Sequence, residues 1–120
     1  MKHVLLSLFC LALCLPMAGR DRIKVACVGN SVTYGYGLKD RAHDAYPVRL
    51  QAMLGDKYEV RNFGHSGATL LTQGHNPYVK LPEFRAALDF KADLVVIHLG
   101  LNDTDPRNWP NYRDEFYNDY

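Results

Sequence analysis

Three apolar segments, separated by polar and glycine-rich stretches, form the main pattern of the chain. Residues 23–28 form an apolar run, Tyr58 and Val60 alternate with polar residues, and residues 94–99 are continuously apolar. These patterns predict three β-strands. The last run has the composition of a strand that is covered on both faces. Each strand is followed by a loop that contains glycine and polar residues.

Two segments between these strands carry apolar residues at helical spacing. Pro47 begins the first predicted helix and Gly55 ends it, while Pro82 begins the second. The residues expected to share one helix face are Tyr46, Leu50, Met53 and Leu54 in the first helix, and Leu81, Phe84, Ala87 and Leu88 in the second. The order strand, helix, strand, helix, strand predicts an α/β fold with a parallel sheet and right-handed crossovers.

The last residues predict a further helix that starts at Pro110. The apolar residues at helical spacing there are Trp109, Tyr112, Phe116 and Tyr120. Neither a glycine nor a cap ends this helix, and three strands alone would leave long unpaired sheet edges. We therefore expect residues 20–120 to be the N-terminal portion of a domain, truncated after the third strand and the start of the next helix.

The first nineteen residues have the layout of a secretory signal peptide. Lys2 and His3 precede an apolar run at 4–15, and small or turn-forming residues follow at 16–19. This segment is too short to span a bilayer comfortably, so we expect no stable membrane insertion after cleavage. The predicted location is secreted or periplasmic. Lipoprotein anchoring at Cys14 is the less favoured alternative, because Leu13 is large where a small residue is expected.

Charge and cysteine content exclude several classes of function. The chain has 14 basic and 13 acidic residues without a basic run, so we expect no nucleic-acid partner. Two of the three cysteines, Cys10 and Cys14, lie in the signal segment, which leaves Cys27 alone in an apolar run. We expect a buried free thiol there and no disulfide. The histidines lack metal-ligand spacing, so neither a metal nor a cofactor is predicted.

The loops that follow the three strands carry residues that acyl chemistry can use. Parallel sheets place functional groups beyond the carboxyl ends of their strands. Ser31 follows the first strand, Gly67 lies in the second loop, and Asn102 lies in the third. A serine hydroxyl can attack a carbonyl carbon, and convergent N–H donors can stabilise the resulting oxyanion. Each motif alone is common, and it is their shared order and placement that favour an ester hydrolase.

Three blocks of the sequence resemble the SGNH (GDSL-like) esterase family. The blocks are Gly-Asn-Ser-Val-Thr-Tyr-Gly at 29–35, Asn-Phe-Gly-His-Ser-Gly-Ala-Thr at 62–69 and His-Leu-Gly-Leu-Asn-Asp at 98–103. The resemblance implies a three-layer, flavodoxin-like SGNH hydrolase fold with Ser31 as nucleophile. It also implies an oxyanion hole formed by the backbone N–H groups of Ser31 and Gly67 and the side chain of Asn102. The candidate substrate-binding residues are Asn30, Tyr34, His65 and Asp103.

The chain departs from the family pattern in two places. Asn30 stands where the family usually has aspartate, and the fourth block, Asp-x-x-His, is missing from its expected position. Residues 40–43 have the sequence Asp-Arg-Ala-His, which fits the Asp-x-x-His pattern. They lie before the first predicted helix, however, and this is not the structural context in which the family has that block. His43 is expected at the surface. Because a serine without a base is a poor nucleophile, the 120-residue chain is expected to be inactive alone.

The amino-acid sequences of the blocks are most similar to those of secreted bacterial carbohydrate esterases of the sialate O-acetylesterase kind. This resemblance implies removal of O-acetyl groups from a carbohydrate. Two alternatives stay open: a lipid or aryl esterase of the same fold, and a non-catalytic carbohydrate-binding remnant. Aromatic and polar residues expected near the cleft suit sugar rings better than an acyl chain. They are Tyr34, Tyr36, Asp105, Arg107, Asn108 and Trp109.

Overall fold

The computed structural model describes residues 21–120, so the signal-peptide prediction lies outside the described residues. A parallel sheet has the strand order β2-β1-β3, with β1 at Ile23–Gly29, β2 at Tyr58–Gly64 and β3 at Leu94–His98. Gly29 aligns with Gly64 on one side and with His98 on the other. The strands therefore end level with one another, and their following loops emerge at one edge. The predicted α/β architecture with a parallel sheet is confirmed.

Helices connect the strands and continue after the last one. The described helices are α1 (Ser31–Tyr34), α2 (Arg41–Asp44), α3 (Tyr46–Leu54), α4 (Pro82–Phe90), α5 (Trp109–Tyr112) and α6 (Phe116–Asp119). Short 3-10 turns lie at Tyr78–Lys80, Asn102–Thr104 and Arg113–Glu115. Within residues 21–120, no helix is both long enough and apolar enough to cross a bilayer.

The second main helix begins at the predicted Pro82, and the first begins at Tyr46, one residue before the predicted Pro47. Pro47 and Pro82 lie in the first turns of α3 and α4, where the missing N–H of proline costs no helical hydrogen bond. Gly55 ends α3. The predicted apolar faces are wrong at Met53 (84% exposed) and Leu54 (36%) in α3 and at Leu88 (53%) in α4.

The sequence predicted a single helix for the terminal segment, and the structure shows two short helices instead. The backbone of Tyr112 leaves the helical region with φ −128°, and a 3-10 turn separates α5 from α6. The predicted aromatic face survives this break, because the ring centroids of Trp109 and Phe116 lie 5.6 Å apart. Thr72 in the second loop donates hydrogen bonds to the Asp119 carboxylate through its backbone N–H (2.9 Å) and its hydroxyl (3.1 Å). The terminal segment is therefore joined to the second loop.

The apolar core lies between the sheet and α4. Its buried members are Ala26, Val28, Phe63, Ala68, Tyr78 and Phe90. The hydroxyl of Tyr78 donates to the carbonyl oxygen of Phe63 at 2.6 Å, which satisfies a buried polar group at the end of β2. Burial also raises the pKa of Tyr78, so its hydroxyl keeps the proton that it donates.

Cys27 lies on the opposite face of β1 and is a buried free thiol, as predicted. Burial raises the pKa of Cys27, and the nearby Tyr46 hydroxyl opposes that effect in part. The uncharged thiol therefore predominates at neutral pH. This is the state expected of a cysteine that packs as a small apolar residue.

Strand β3 is exposed on both faces, which contradicts the prediction that it is covered. Its apolar side chains from Leu94 to Ile97 are 41–56% exposed. The reason is the placement of the two main helices, since α3 packs on β2 and α4 packs on β1 and β2, so neither packs mainly on β3. On the α4 side, Val95 and Ile97 line an open apolar groove of about 220 Å³.

Helix α1 packs so closely against β2 that position 64 has no room for a side chain, and a mutation of Gly64 can test this. A Cβ atom at this position would overlap the backbone of Tyr34 and lie 2.6 Å from the carbonyl carbon of Thr33. Backbone atoms cannot move aside as a flexible side chain can. We therefore expect Gly64→Ala to lower the free energy of unfolding by about 3 kcal/mol, measured by chemical denaturation.

Gly37→Ala is the matched control, because the added methyl group would enter open space. Its φ of 82° imposes only backbone strain, with an expected loss of about 1 kcal/mol. Equal losses in the two variants would show that close packing is not the reason for glycine at position 64.

Candidate active site

Backbone hydrogen bonds join the three loops at the carboxyl edge of the sheet. The N–H of Asn30 donates to the carbonyl oxygen of His98 at 3.2 Å, and the N–H of His65 donates to that of Gly29 at 2.9 Å. The first loop is thus attached to the ends of both neighbouring strands. The Asn62 side chain adds a link by donating to the Thr33 carbonyl oxygen at 2.7 Å.

Ser31 is the first residue of α1, directly after β1, and is half-buried. Asn30 caps this short helix, since its Oδ1 accepts a hydrogen bond from the N–H of Val32 at 3.1 Å. The first N–H groups of a helix have no partner inside the helix, so the Ser31 N–H is available to another acceptor. This placement agrees with the predicted roles of Ser31, which stay predictions.

Asn30, a predicted substrate contact, lies inside the protein in this structure. Its side chain is fully buried, with Oδ1 on the Val32 N–H and Nδ2 without a partner among the described residues. Its function in the structure is to form the turn that presents Ser31.

Gly67 occupies a left-handed backbone conformation in the second loop. Its φ is 83°, a region that favours glycine because a Cβ atom would strain the backbone. Space is not the reason, since an added Cβ would lie 3.6 Å from the nearest atom, Nδ2 of Asn76. The loop thus has the local geometry of a tight turn, and the Gly67 N–H stays the predicted second donor.

Asn102 contacts Ala68, the residue that follows Gly67. Its Nδ2 donates to the carbonyl oxygen of Ala68 at 2.9 Å, and the residue is half-buried. A primary amide has two N–H groups, so this bond leaves one available. This hydrogen bond joins the third loop to the residue after Gly67, and the oxyanion roles of Gly67 and Asn102 stay predictions.

Asp103, a predicted substrate contact, binds backbone groups of the second loop in this structure. It is fully buried, and its carboxylate accepts hydrogen bonds from the backbone N–H groups of Leu70 (3.0 Å) and Leu71 (2.7 Å). Because both oxygens are occupied in this way, Asp103 holds the second loop against the third. The sequence did not indicate this, since the two partners are backbone groups more than thirty residues away.

His65 pairs with a residue that the sequence did not single out. Its Nδ1 lies 3.0 Å from Oε1 of Glu83, which is in the first turn of α4. Partial burial raises the pKa of Glu83, but the hydrogen bonds from His65 and from the Glu83 backbone outweigh it and leave the pKa lowered. The carboxylate therefore orients the imidazole through Nδ1, and His65 stays a candidate substrate contact.

The ring of Tyr34 is covered by a cation. The guanidinium of Arg41 lies 3.7 Å from the ring centroid, and its Nε donates to the Tyr34 carbonyl oxygen at 2.6 Å. Tyr34 is half-buried and stays a predicted substrate contact. His43 is exposed, as predicted, and its Nδ1 lies 2.7 Å from Oδ2 of Asp40.

One of the polar residues expected in the cleft is buried instead. Asn108, expected among the polar residues of the cleft, is fully buried, and Nδ1 of His75 lies 2.9 Å from its Nδ2. Across residues 21–120, no three His, Cys, Asp or Glu side chains are grouped to hold a metal ion.

The buried position of Asp103 generates a stability prediction. Asp103→Ala would leave two buried N–H groups without acceptors, so we expect the free energy of unfolding to fall by about 3 kcal/mol. Urea denaturation measures the loss. The control is Asp114→Ala, whose side chain is 96% exposed and whose expected effect is within about 0.5 kcal/mol. Similar values for both variants would contradict the role of Asp103.

Comparisons with known proteins identify the family of the chain. The GDSL-like lipase/acylhydrolase family matches residues 27–119. An acetylxylan esterase of Xylanibacter ruminicola is 49% identical over 105 residues, which are 88% of this chain and 22% of the relative. The chain thus spans about a fifth of the length of that relative. Because the family match covers most of the residues described, the chain belongs to the GDSL-like lipase/acylhydrolase (SGNH) family.

Proposed function

We propose that the protein containing this chain is a serine ester hydrolase that removes O-acetyl groups from a carbohydrate. The observation that supports it best is the convergence of Ser31, Gly67 and Asn102 at one edge of the sheet. Family membership supports ester chemistry at this edge. A non-catalytic remnant is less well supported, because a remnant does not need to keep both the nucleophile and its donors.

In the proposed reaction the Ser31 oxygen attacks the carbonyl carbon of the acetyl group. The carbonyl oxygen becomes an oxyanion and accepts hydrogen bonds from the N–H groups of Ser31 and Gly67 and from Nδ2 of Asn102. The Ser31 proton passes to a base, which then protonates the departing sugar oxygen. Water attacks the acetyl-serine in the second half of the reaction and releases acetate.

We further propose that the base, an Asp-x-x-His histidine, lies in a part of the protein outside residues 21–120. Among residues 21–120, no histidine forms a hydrogen bond with Ser31, and the side-chain partners of His43, His65 and His75 are Asp40, Glu83 and Asn108. The relative is far longer than this chain. The apolar faces of β3 would also be stabilised by further elements of the same domain.

The predicted signal peptide supports export of the protein to the periplasm or the exterior.

Acetylated xylan is the first substrate to test, because the similar protein is named an acetylxylan esterase. The resemblance of the three sequence blocks to sialate O-acetylesterases supports O-acetylated sialic acid as the second candidate. Exposed aromatic rings near the third loop, including Trp109, suit the faces of sugar rings. A lipid or aryl esterase has less support, since the apolar groove described above lies on a face of the sheet rather than at its carboxyl edge.

Replacement of the nucleophile is the main test of the proposed function. In the full-length protein, Ser31→Ala should lower kcat/KM for 4-nitrophenyl acetate by about 10⁴-fold or more, because no other group forms the acetyl-enzyme. Ser66→Ala is the matched control, since Ser66 is the other serine in residues 21–120. It should still react with a fluorophosphonate, with the label on Ser31. Residues 21–120 alone should show no turnover.

The same assays separate the substrate classes. Release of acetate from acetylated xylan or from O-acetylated sialic acid, with little hydrolysis of long-chain esters, is the expected result. A preference for long acyl chains would favour the lipid esterase. Full activity of Ser31→Ala would refute the proposed mechanism.

Replacement of Asn102 tests the oxyanion hole. Asn102→Ala should lower kcat by about 10²–10³-fold, because one donor to the transition state is lost. KM should change little, since the donor acts mainly on the developing charge. Wild-type kcat in a folded variant would remove Asn102 from the oxyanion hole.

A further inference from the structure

We propose that Asn108 is a positioning residue that holds Asn102 in place for catalysis. This inference rests on the proposed function, since it concerns a donor of the same oxyanion hole. Asn108 precedes α5, contacts neither Ser31 nor Gly67 in the hydrogen-bond network, and is 0% exposed. Its side chain therefore acts within the protein rather than on a ligand.

The side chain of Asn108 joins the third loop to the second. Its Nδ2 donates to the carbonyl oxygen of Asn102 at 2.9 Å. Its Oδ1 accepts a hydrogen bond from the backbone N–H of His75 at 2.9 Å, and its Nδ2 lies 2.9 Å from Nδ1 of the same histidine. One buried amide thus makes three contacts to two separate loops.

The chemistry of the partners determines how this amide is oriented. A backbone N–H can only donate, so the oxygen of the amide must face the His75 backbone. A carbonyl oxygen can only accept, so the nitrogen must face Asn102. The second N–H of the amide then donates to the His75 imidazole, whose Nδ1 is the acceptor. An isosteric carboxylate at position 108 would keep the first contact and lose the hydrogen bond to the Asn102 carbonyl oxygen, because neither atom could donate; the contact with His75 would require a proton on its Nδ1.

Asn102 is consequently held at both ends. Its side chain donates to the Ala68 carbonyl oxygen, and its own carbonyl oxygen accepts from Asn108. Ala68 and His75 belong to the same loop, which also carries Gly67. Asn108 therefore keeps two predicted oxyanion donors in one rigid unit. This matters because a donor must be placed within a fraction of an ångström to stabilise a transition state.

The test is steady-state kinetics on the full-length protein with 4-nitrophenyl acetate. Asn108→Asp should lower kcat by about 10–100-fold, less than the loss expected when the Asn102 donor itself is removed. KM should stay within about threefold, because ground-state binding does not depend on the oxyanion donor. Asn111→Asp is the matched control. Asn111 is exposed on α5 and donates to the Arg107 carbonyl oxygen, and its substitution should leave kcat unchanged.

A double-mutant cycle separates positioning from a general structural role. If Asn108 acts through Asn102, then Asn108→Asp should lower kcat further by less than about twofold when Asn102→Ala is already present. A loss of the same size in both backgrounds would overturn the proposal, and so would a wild-type kcat in Asn108→Asp.

Asn108→Ser covers the case in which the buried charge of Asn108→Asp prevents folding. It removes the amide without burying a charge, so the same loss of kcat and the same cycle are expected. Wild-type kcat in Asn108→Ser would contradict the inference. A wild-type protein without Ser31-dependent activity would refute the proposed function and this inference together, whereas normal activity in the Asn108 variants would refute the inference alone.

Discussion

The level ends of the three parallel strands are the constraint on which the site depends. Gly29 lies opposite both Gly64 and His98, so the loops that carry Ser31, Gly67 and Asn102 begin at one height. A shift of one residue in either strand pair would move a loop by about 3.3 Å along the strand and turn its side chains to the other face. Hydrogen bonds from the first loop to both neighbouring strands hold this alignment.

Hydrogen bonds made by buried polar side chains hold the second and third loops together. The Asp103 carboxylate binds two N–H groups of the second loop, and the Asn108 amide joins that loop to the carbonyl oxygen of Asn102. Both side chains are fully buried, so each lost bond would leave a buried polar group unsatisfied. The loops are thus kept in one arrangement by polar contacts as well as by the apolar core.

The same fold leaves one part of its sheet uncovered. Strand β3 pairs with β1 on one side, and its apolar residues from Leu94 to Ile97 are exposed on both faces. A continuous apolar strand of this kind is stabilised when helices cover it. The chain spans 22% of its acetylxylan esterase relative, and we propose that other parts of the protein supply both this cover and the catalytic base.

The strands, the two main helices and the order of the three blocks could be predicted from the sequence, because these depend on local periodicity and on proline and glycine positions. The sequence also placed Ser31, Gly67 and Asn102 in loops that parallel pairing brings together. The sequence did not predict that Asn30 and Asp103 are fully buried or that β3 is exposed, and the folded structure shows both. Those outcomes depend on contacts with backbone groups and on the presence or absence of covering elements, and neither has a local sequence signal.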